Sequence, residues 1–536
     1  MKHFFKDNGQ TPWRSRAHGV WFRLCAVCLS AYIGYITYLC HSRMFMGRMP
    51  TGLSMMAYVA VSAGVYGILD YLMNLLGDVQ PACHAQRKRA DWRVFALAFL
   101  IAMAVFGCAF LACYPGAVNY DISNQWRQAH TGEFNNWHPV FHTLMIWLLT
   151  RVYDSYPFVL LCQITAFAAL MSWLTAVLHK RGVPAWLAIA VHTIAAASLP
   201  VRNTLMYVGK DSAMTIGVLA VTIQLTEILF TRGEWLKKRW HAALLGVLLG
   251  GITLLRINAL LWTVPLLLCV FFAYRKTRVN TALAACVLAA FMGLVQGLLY
   301  GALDVVYPNN TKEEAVGLPM TILCDIRQKE PTKLDRHTFA FLAQLAPDQA
   351  WRETYKLHNY NSIKFTFERE YIQNTPLLSI LDMSRRAAQH APRTAFKAFN
   401  GLTDLVWDVT GKDEGYQSVR NSGDIPEIQF VNSRLNQLGN RLLGMIDRVM
   451  NLAPIRYLTC NIGVQFLLLL LVTLWALKRH GCGVLMMALP TLCYNLGTML
   501  LLCGNDARFF QFSMTVSMAM MLAMVFLPGE DEHKCR

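Results

Sequence analysis

Charge is what this sequence has least of. Asp, Glu, Lys and Arg make up 15% of its 536 residues, where soluble globular chains carry about 25%. That deficit excludes a water-soluble globular protein, and a hydrophobic content of 55% excludes disordered and fibrous chains. Acids are scarcer than bases: 32 Asp+Glu stand against 49 Lys+Arg, a formal net charge of +17. Cysteine occurs fifteen times, yet no zinc site and no structural disulfide is expected. Most of the cysteines, Cys108, Cys162 and Cys269 among them, lie inside apolar runs, where a thiol behaves as a small hydrophobe.

Apolar runs long enough to cross a bilayer recur along the chain. Candidate spans lie near residues 20–40, 53–76, 94–113, 157–178, 184–201, 212–230, 241–255, 258–274, 281–302, 459–477, 484–503 and 509–527. The expected fold class is therefore an all-α polytopic membrane protein with about 12 transmembrane helices. The first run lacks a small-residue cleavage site and is followed by further spans, so it reads as a retained helix. Twelve crossings put the basic groups on one side: Lys2, Lys6, Arg14 and Arg16, then Arg87 to Arg93, Lys180 and Arg181, Arg232 to Arg239, Arg275 to Arg278, Lys478 and Arg479, and the tail. The positive-inside rule makes that side the cytoplasm. Residues 138–153 are apolar as well, but counting them as a span would move the Lys180 and Arg232 groups outside. This stretch begins with His-Pro and reads as a short helix in the outer interface. The expected location is the bacterial inner (cytoplasmic) membrane, multi-pass, with both termini cytoplasmic.

The same topology divides the chain into a membrane domain, 1–302, with a first outer loop 114–137 and the interfacial helix 138–153; a mainly helical extracytoplasmic segment, 303–458; and C-terminal membrane helices, 459–536. The outer segment holds 19 Lys+Arg and 18 Asp+Glu, so the basic surplus belongs to the membrane part. No feature asks for nucleic acid as a partner. Within the segment, residues 348–372 and 383–400 have the spacing of amphipathic helices. Residues 400–424 read as loop, and Asn309-Asn310-Thr311 is a glycosylation sequon.

Ionisable residues that interrupt apolar sequence carry the functional signal. The first outer loop offers Asp121 and Gln125, then His138 and His142. Asp121 follows its helix by about eight residues, which keeps it near the interface, where partial desolvation strengthens a carboxylate as a general base. The alternative is a capping acid in a loop anchored by aromatics. In the second outer connection, Lys210 either pairs with Asp211 or holds a phosphate as a point charge, and Asp211 and Ser212 either cap the next helix or serve the site. Arg256 and Asn258 fall at the tip of a helical hairpin, the arginine either snorkelling or binding. Asp506 and Arg508 lie between the last two spans. Together these residues share one membrane face, a mixture of cations and acids suited to an anionic, lipid-linked substrate. His138 and His142 share a helix face and, with Asp121 or Glu133, offer metal ligands. Spacing fixes no third ligand, so a positioning role is preferred and a divalent cation is the one cofactor left open.

These motifs resemble a family of bacterial multi-spanning membrane proteins that is similar to the C-type (GT-C) glycosyltransferase fold of protein mannosyltransferases and lipid A aminoarabinose transferases. The likeness rests on Tyr114-Pro-Gly, Asp121 with Gln125, Trp137-His138-Pro139 with His142-Thr143, Gly209-Lys210-Asp211, Arg256-Ile257-Asn258 and Arg508. It covers about residues 94–274 and 504–510. The resemblance implies an inverting membrane glycosyltransferase that moves a sugar from a polyprenyl-phosphate donor to an extracytoplasmic acceptor, a cell-envelope glycan, lipid or protein. Under it, Asp121 is the base that activates the acceptor, with His138 and Asp211 completing the catalytic set. Gln125, Lys210, Arg256, Asn258 and Arg508 are then substrate or phosphate contacts. The sequence departs from the family at two places: Asp121 is followed by Ile-Ser rather than a second acid, and Arg508-Phe509 replaces Arg-Tyr. Segment 303–458 matches no motif and is expected to hold acceptor specificity. Two other classes compete, a lipid-linked saccharide transporter or flippase, which predicts inverted repeats and ionisable groups at mid-depth, and a surface-polysaccharide polymerase or ligase.

Overall fold

The computed structural model describes residues 12–40, 51–76, 86–308, 312–410, 433–504 and 506–528. The sequon and residues 411–424 of the expected loop lie outside them. Among the described residues the regular structure is helical, with no strand and three isolated bridges.

Among the described residues, nine helices are long and apolar enough to cross a bilayer: Gly19–Thr37, Leu53–Leu75, Trp92–Cys113, Tyr156–Lys180, Lys210–Phe230, Arg275–Ala302, Ile462–His480, Cys482–Leu501 and Ala507–Val525. The chain is an all-α polytopic membrane protein. Each of the nine overlaps an apolar run read from the sequence. The run at 184–201 is instead a bent pair, Ala185–Ala197 and Leu199–Leu205, meeting at 59°. The break falls at Ser198, two residues before Pro200, which has no N–H to continue the ladder. The two remaining runs form shorter apolar helices, Arg239–Leu255 and Ile257–Ala273. At 17 residues the first of these is about 25 Å long, against a hydrocarbon thickness of about 30 Å. Residues 138–153 give Val140–Val152, 13 residues and about 20 Å.

Three local expectations change. The first connection is not all loop, because 12 of its residues form the helix Tyr120–Thr131. Residues 348–372 are not one helix but Asp348–Glu353, single turns at Tyr360–Ser362 and Lys364–Thr366, and Arg369–Asn374. His358 takes a left-handed conformation, φ 62°, through which no right-handed helix continues. Trp351, Tyr355, Tyr360 and Phe367 instead converge on a core with Leu323, Leu342 and Ile380. The expected helix at 383–400 is split between Leu377–His390 and Pro392–Trp407, because Pro392 disfavours a helical Ala391.

Helix Pro392–Trp407 joins that second core to the membrane helices: Leu402, Val406 and Trp407 pack with Ile462, Phe466, Met499 and Phe510. Helix Arg434–Met450 lies flush on Trp92–Cys113, so close that a Cβ on Gly439 would sit 2.3 Å from the Ala112 amide nitrogen. Its Asp447 pairs with Arg202, which is 2% exposed. Helix Lys210–Phe230 joins two charged groups. Lys210 opens it, and Glu227, buried between Lys180 and Arg181, lies about 25 Å further along.

Candidate functional site

The first and second connections are stitched together before either reaches the site. Gly116 has φ +132°, and a Cβ there would meet the Tyr156 ring at 2.7 Å, so both backbone and space demand glycine. The next residue, Ala117, forms a parallel bridge with Tyr207, its amide donating to the Met206 carbonyl at 3.1 Å. The Tyr156 hydroxyl donates to the Ala117 carbonyl at 2.5 Å and accepts from the Val208 amide at 3.3 Å. Gln163 donates to the carbonyls of Leu205 and Tyr207. Two residues beyond each side of the bridge stands the residue that precedes a helix. Asn119 caps Tyr120–Thr131 by accepting from the Ile122 amide at 3.0 Å, and Gly209 holds the equivalent place before Lys210–Phe230. Asp121 and Lys210 therefore open adjacent helices, with Lys210 Nζ 3.8 Å from Asp121 Oδ2.

His138, 5% exposed, enters from just before Pro139, where Val140–Val152 starts. Lys210 Nζ donates to His138 Nδ1 at 3.1 Å. An ammonium has no lone pair to accept with, so Nδ1 is bare and the ring proton sits on Nε2. Nε2 faces Asp121 Oδ1 at 3.8 Å and makes no hydrogen bond. Burial first, then the Lys210 charge, push the imidazole down to about 4, which keeps it neutral near pH 7. Arg508 completes the group, its terminal nitrogen 3.3 Å from Asp121 Oδ2 and its Nε 2.8 Å from Asp506 Oδ2. Burial alone would raise the Asp121 carboxyl, but Lys210 and Arg508 outweigh it and hold the carboxyl below the usual carboxylate range.

A second pair lies beside the first. Arg256, extended between its two short helices, donates from Nε to Asp211 Oδ1 at 2.5 Å. Neither Asp211 nor Ser212 caps its helix, and the Ser212 hydroxyl donates instead to the Thr204 carbonyl at 3.1 Å. The guanidinium carbons of Arg256 and Arg508 stand 4.7 and 5.3 Å from the Phe509 ring centroid. An electron-rich ring in contact with two like charges attracts both, which gives Phe509 a physical role.

Gln125 lies one turn beyond Asp121 and its amide is already engaged. It donates to the Pro139 carbonyl and to Thr143 Oγ1, both at 3.2 Å, and accepts from His142 Nδ1 at 3.1 Å. It thereby locks helix Tyr120–Thr131 to Val140–Val152 and sets the place of His138. His142 is spent on this bond. Among the described residues no three His, Cys, Asp or Glu side chains form a metal-ligand group. Asn258 donates to Thr498 Oγ1 at 3.2 Å and does not line the cavity.

That cavity has a volume of about 500 Å³ and is lined by Asp121, Gln125, Lys210, Asp211, Asp506 and Arg508 together with neutral polar residues. His138 and Arg256 stand directly behind it, bonded to Lys210 and Asp211. Sequence reasoning missed Asn119, Asn203, Thr204 and Tyr207, and above all Asn359 and Asn361, which arrive from segment 303–458. The first four flank motifs that were visible. The last two had no local signal, since only the tertiary fold brings them to the cavity. The chain matches no protein-family model, no curated protein and no solved structure.

Proposed function

We propose that the chain is an inverting membrane glycosyltransferase of the C-type, transferring a sugar from a polyprenyl-phosphate donor to an extracytoplasmic acceptor. The observation that carries this reading is one carboxylate, Asp121, shared by Lys210 and Arg508 in a polar cavity where apolar helices begin. A donor phosphate entering the cavity competes with Asp121 for both cations. As they turn to the phosphate, Asp121 loses the charges that depress it and keeps the burial that raises it, so donor binding makes it a stronger base. The acceptor hydroxyl then attacks the anomeric carbon in line. The bond from that carbon to the phosphate oxygen breaks, its electron pair leaves on the phosphate, and the hydroxyl proton passes to Asp121. Lys210 and Arg508 stabilise the departing charge. Neutral His138 presents Nε2–H to Asp121, and the Arg256–Asp211 pair, through Phe509, steadies Arg508.

The topology that fits counts the bent pair and the two short helices as crossings, giving twelve, with both termini in the cytoplasm of a bacterial cell and the cavity on the outer face of the inner membrane. Its support is that Lys180 and Arg181 lie at the end of the bundle remote from Lys210, where the positive-inside rule puts the cytoplasm. A flippase would hold its ionisable groups at mid-depth, whereas Asp121, Lys210 and Asp211 all sit in the first turns of their helices. Asp121→Asn, with the variant still membrane-inserted and folded, abolishes sugar transfer in this mechanism. Unimpaired product from that variant overturns it.

A further inference from the structure

Beside the cationic group, the cavity wall includes Asn359 and Asn361, which belong to a turn at 355–361. Asp325, 1% exposed, organises this turn. Its carboxylate accepts from the Tyr355 hydroxyl at 2.5 Å, from the His358 amide at 3.0 Å and from His358 Nδ1 at 2.5 Å. The left-handed His358 is backed by Gly401, where a Cβ would sit 2.4 Å from the imidazole. Backbone bonds finish the turn: the Asn359 amide donates to the Lys356 carbonyl at 3.1 Å, and the Asn361 amide to the Cys503 carbonyl at 2.8 Å. The side-chain amide oxygens of Asn359 and Asn361 take no part. Both are buried and accept no hydrogen bond, and both residues line the cavity. Gly504 keeps them in place, since a Cβ there would meet Asn359 Oδ1 and Asn361 Nδ2 at 2.8 Å each.

A rigid turn that sets two neutral amide residues in the wall of a cavity beside a cationic group is organised for a polar ligand. Amides offer a donor and an acceptor but no charge, so they complement the cations and match hydroxyl groups better than phosphate. We propose that Asn359 and Asn361 are specificity-determining residues that bind the neutral, hydroxyl-bearing sugar of the ligand whose phosphate meets Lys210 and Arg508. This rests on the glycosyltransferase reading above.

The test uses the full chain in lipid nanodiscs and two probes: a polyprenyl phosphate, and the tighter-binding of its glucosyl and mannosyl esters. Lys210→Met weakens both. Asn359→Ala and Asn361→Ala leave the bare lipid within about twofold of wild type and each weaken the glycosyl lipid about tenfold, the loss expected for a buried hydrogen bond. Gly504→Ala, which displaces both amides without altering either, reproduces the selective loss, so the outcome does not hang on one variant folding. Equal losses for both lipids, undiminished glycosyl-lipid binding, or a wild type that binds the two lipids alike overturns the assignment. If Lys210→Met binds the bare lipid as wild type does, the phosphate site itself fails, a result separate from that of the asparagines.

Discussion

Replacing Asp121 by Asn keeps the size of the side chain and removes one negative charge from beside Lys210 and Arg508. If these cations hold a lipid phosphate, the change has a counterintuitive sign: transfer stops, yet the phosphate binds more tightly. The carboxylate and a phosphate sharing the same two cations stand on the order of 5 Å apart, where unit charges at an effective dielectric of about 20 repel by roughly 3 kcal/mol. The Asp121 side chain is 26% exposed, and solvent screening reduces the figure to about 1–2 kcal/mol. Asp121→Asn therefore binds a polyprenyl phosphate roughly 5- to 30-fold more tightly than wild type, with no sugar transferred. Titration of a fluorescent polyprenyl phosphate into nanodisc-held protein at fixed salt reads this directly. Weaker binding in the variant refutes the reasoning, because it means that the carboxylate helps to hold the phosphate, as it would through a bridging divalent cation. Repeating the titration with chelator and with added magnesium then separates a bridging cation from a lost positioning role.

The pH dependence has two parts. For the free protein, Asp121 titrates below the ordinary carboxylate value and His138 at about 4, so the acid limb of kcat/KM lies below about pH 5.5, where acid protonates them. The acid limb of kcat lies higher, because bound donor draws the cations off Asp121; coincident limbs, or a break near 6.5, contradict this. For stability, the His138 value lies below the unfolded one, so its contribution is whole above about 6.5 and is lost as pH falls through about 4. Asp447→Ala leaves the Arg202 guanidinium, 2% exposed, without its carboxylate. The cost is about 2 kcal/mol, below the usual figure for a buried pair because the Asp447 side chain is 36% exposed, and thermal unfolding in detergent measures it. Phe509→Leu takes away the ring that Arg256 and Arg508 both contact and lowers kcat/KM about tenfold through Arg508, while unfolding temperature stays close to wild type. A single cysteine at position 181 is labelled from the cytoplasmic side, and labelling from outside refutes the twelve-crossing topology.

Much of the bundle was legible because helices are local. A run of about twenty apolar residues specifies its own hydrogen bonds in lipid, with no partner elsewhere in the chain. The apolar runs and the short Val140–Val152 helix follow from that rule. The site was legible in part for a related reason: in a chain this apolar, an ionisable residue next to a span is costly, and Asp121, Lys210, Arg256 and Arg508 stood out against their surroundings. Pairing was not legible. Asp211 and Lys210 are adjacent in sequence, yet Asp211 bonds Arg256 and Lys210 faces Asp121 and His138, because successive residues in a helix point about 100° apart. Segment 303–458 misled most where aromatic spacing suggested one long helix. A single left-handed residue, His358, divides it, and the Asp325 bonds that stabilise the turn come from more than thirty residues away, beyond the reach of any window of sequence.

The arrangement of acids decides which cation is available to a ligand. Arg256 has Asp211 and Arg508 has Asp506, each at hydrogen-bond distance. Lys210 has no carboxylate that close among the described residues; its short contact is to a neutral imidazole. It is also the first residue of a 21-residue helix, whose unpaired N–H groups and dipole favour an anion at that end. An incoming phosphate therefore displaces least at Lys210, and reaches Arg508 only by sharing it with Asp506 and Asp121. In the proposed reaction Lys210 takes the phosphate first, and Arg508 follows as Asp121 is released. The carboxylate that neutralises the empty site thus becomes a strong base only after the group it must act beside has arrived, which ties deprotonation of the acceptor to the presence of a donor.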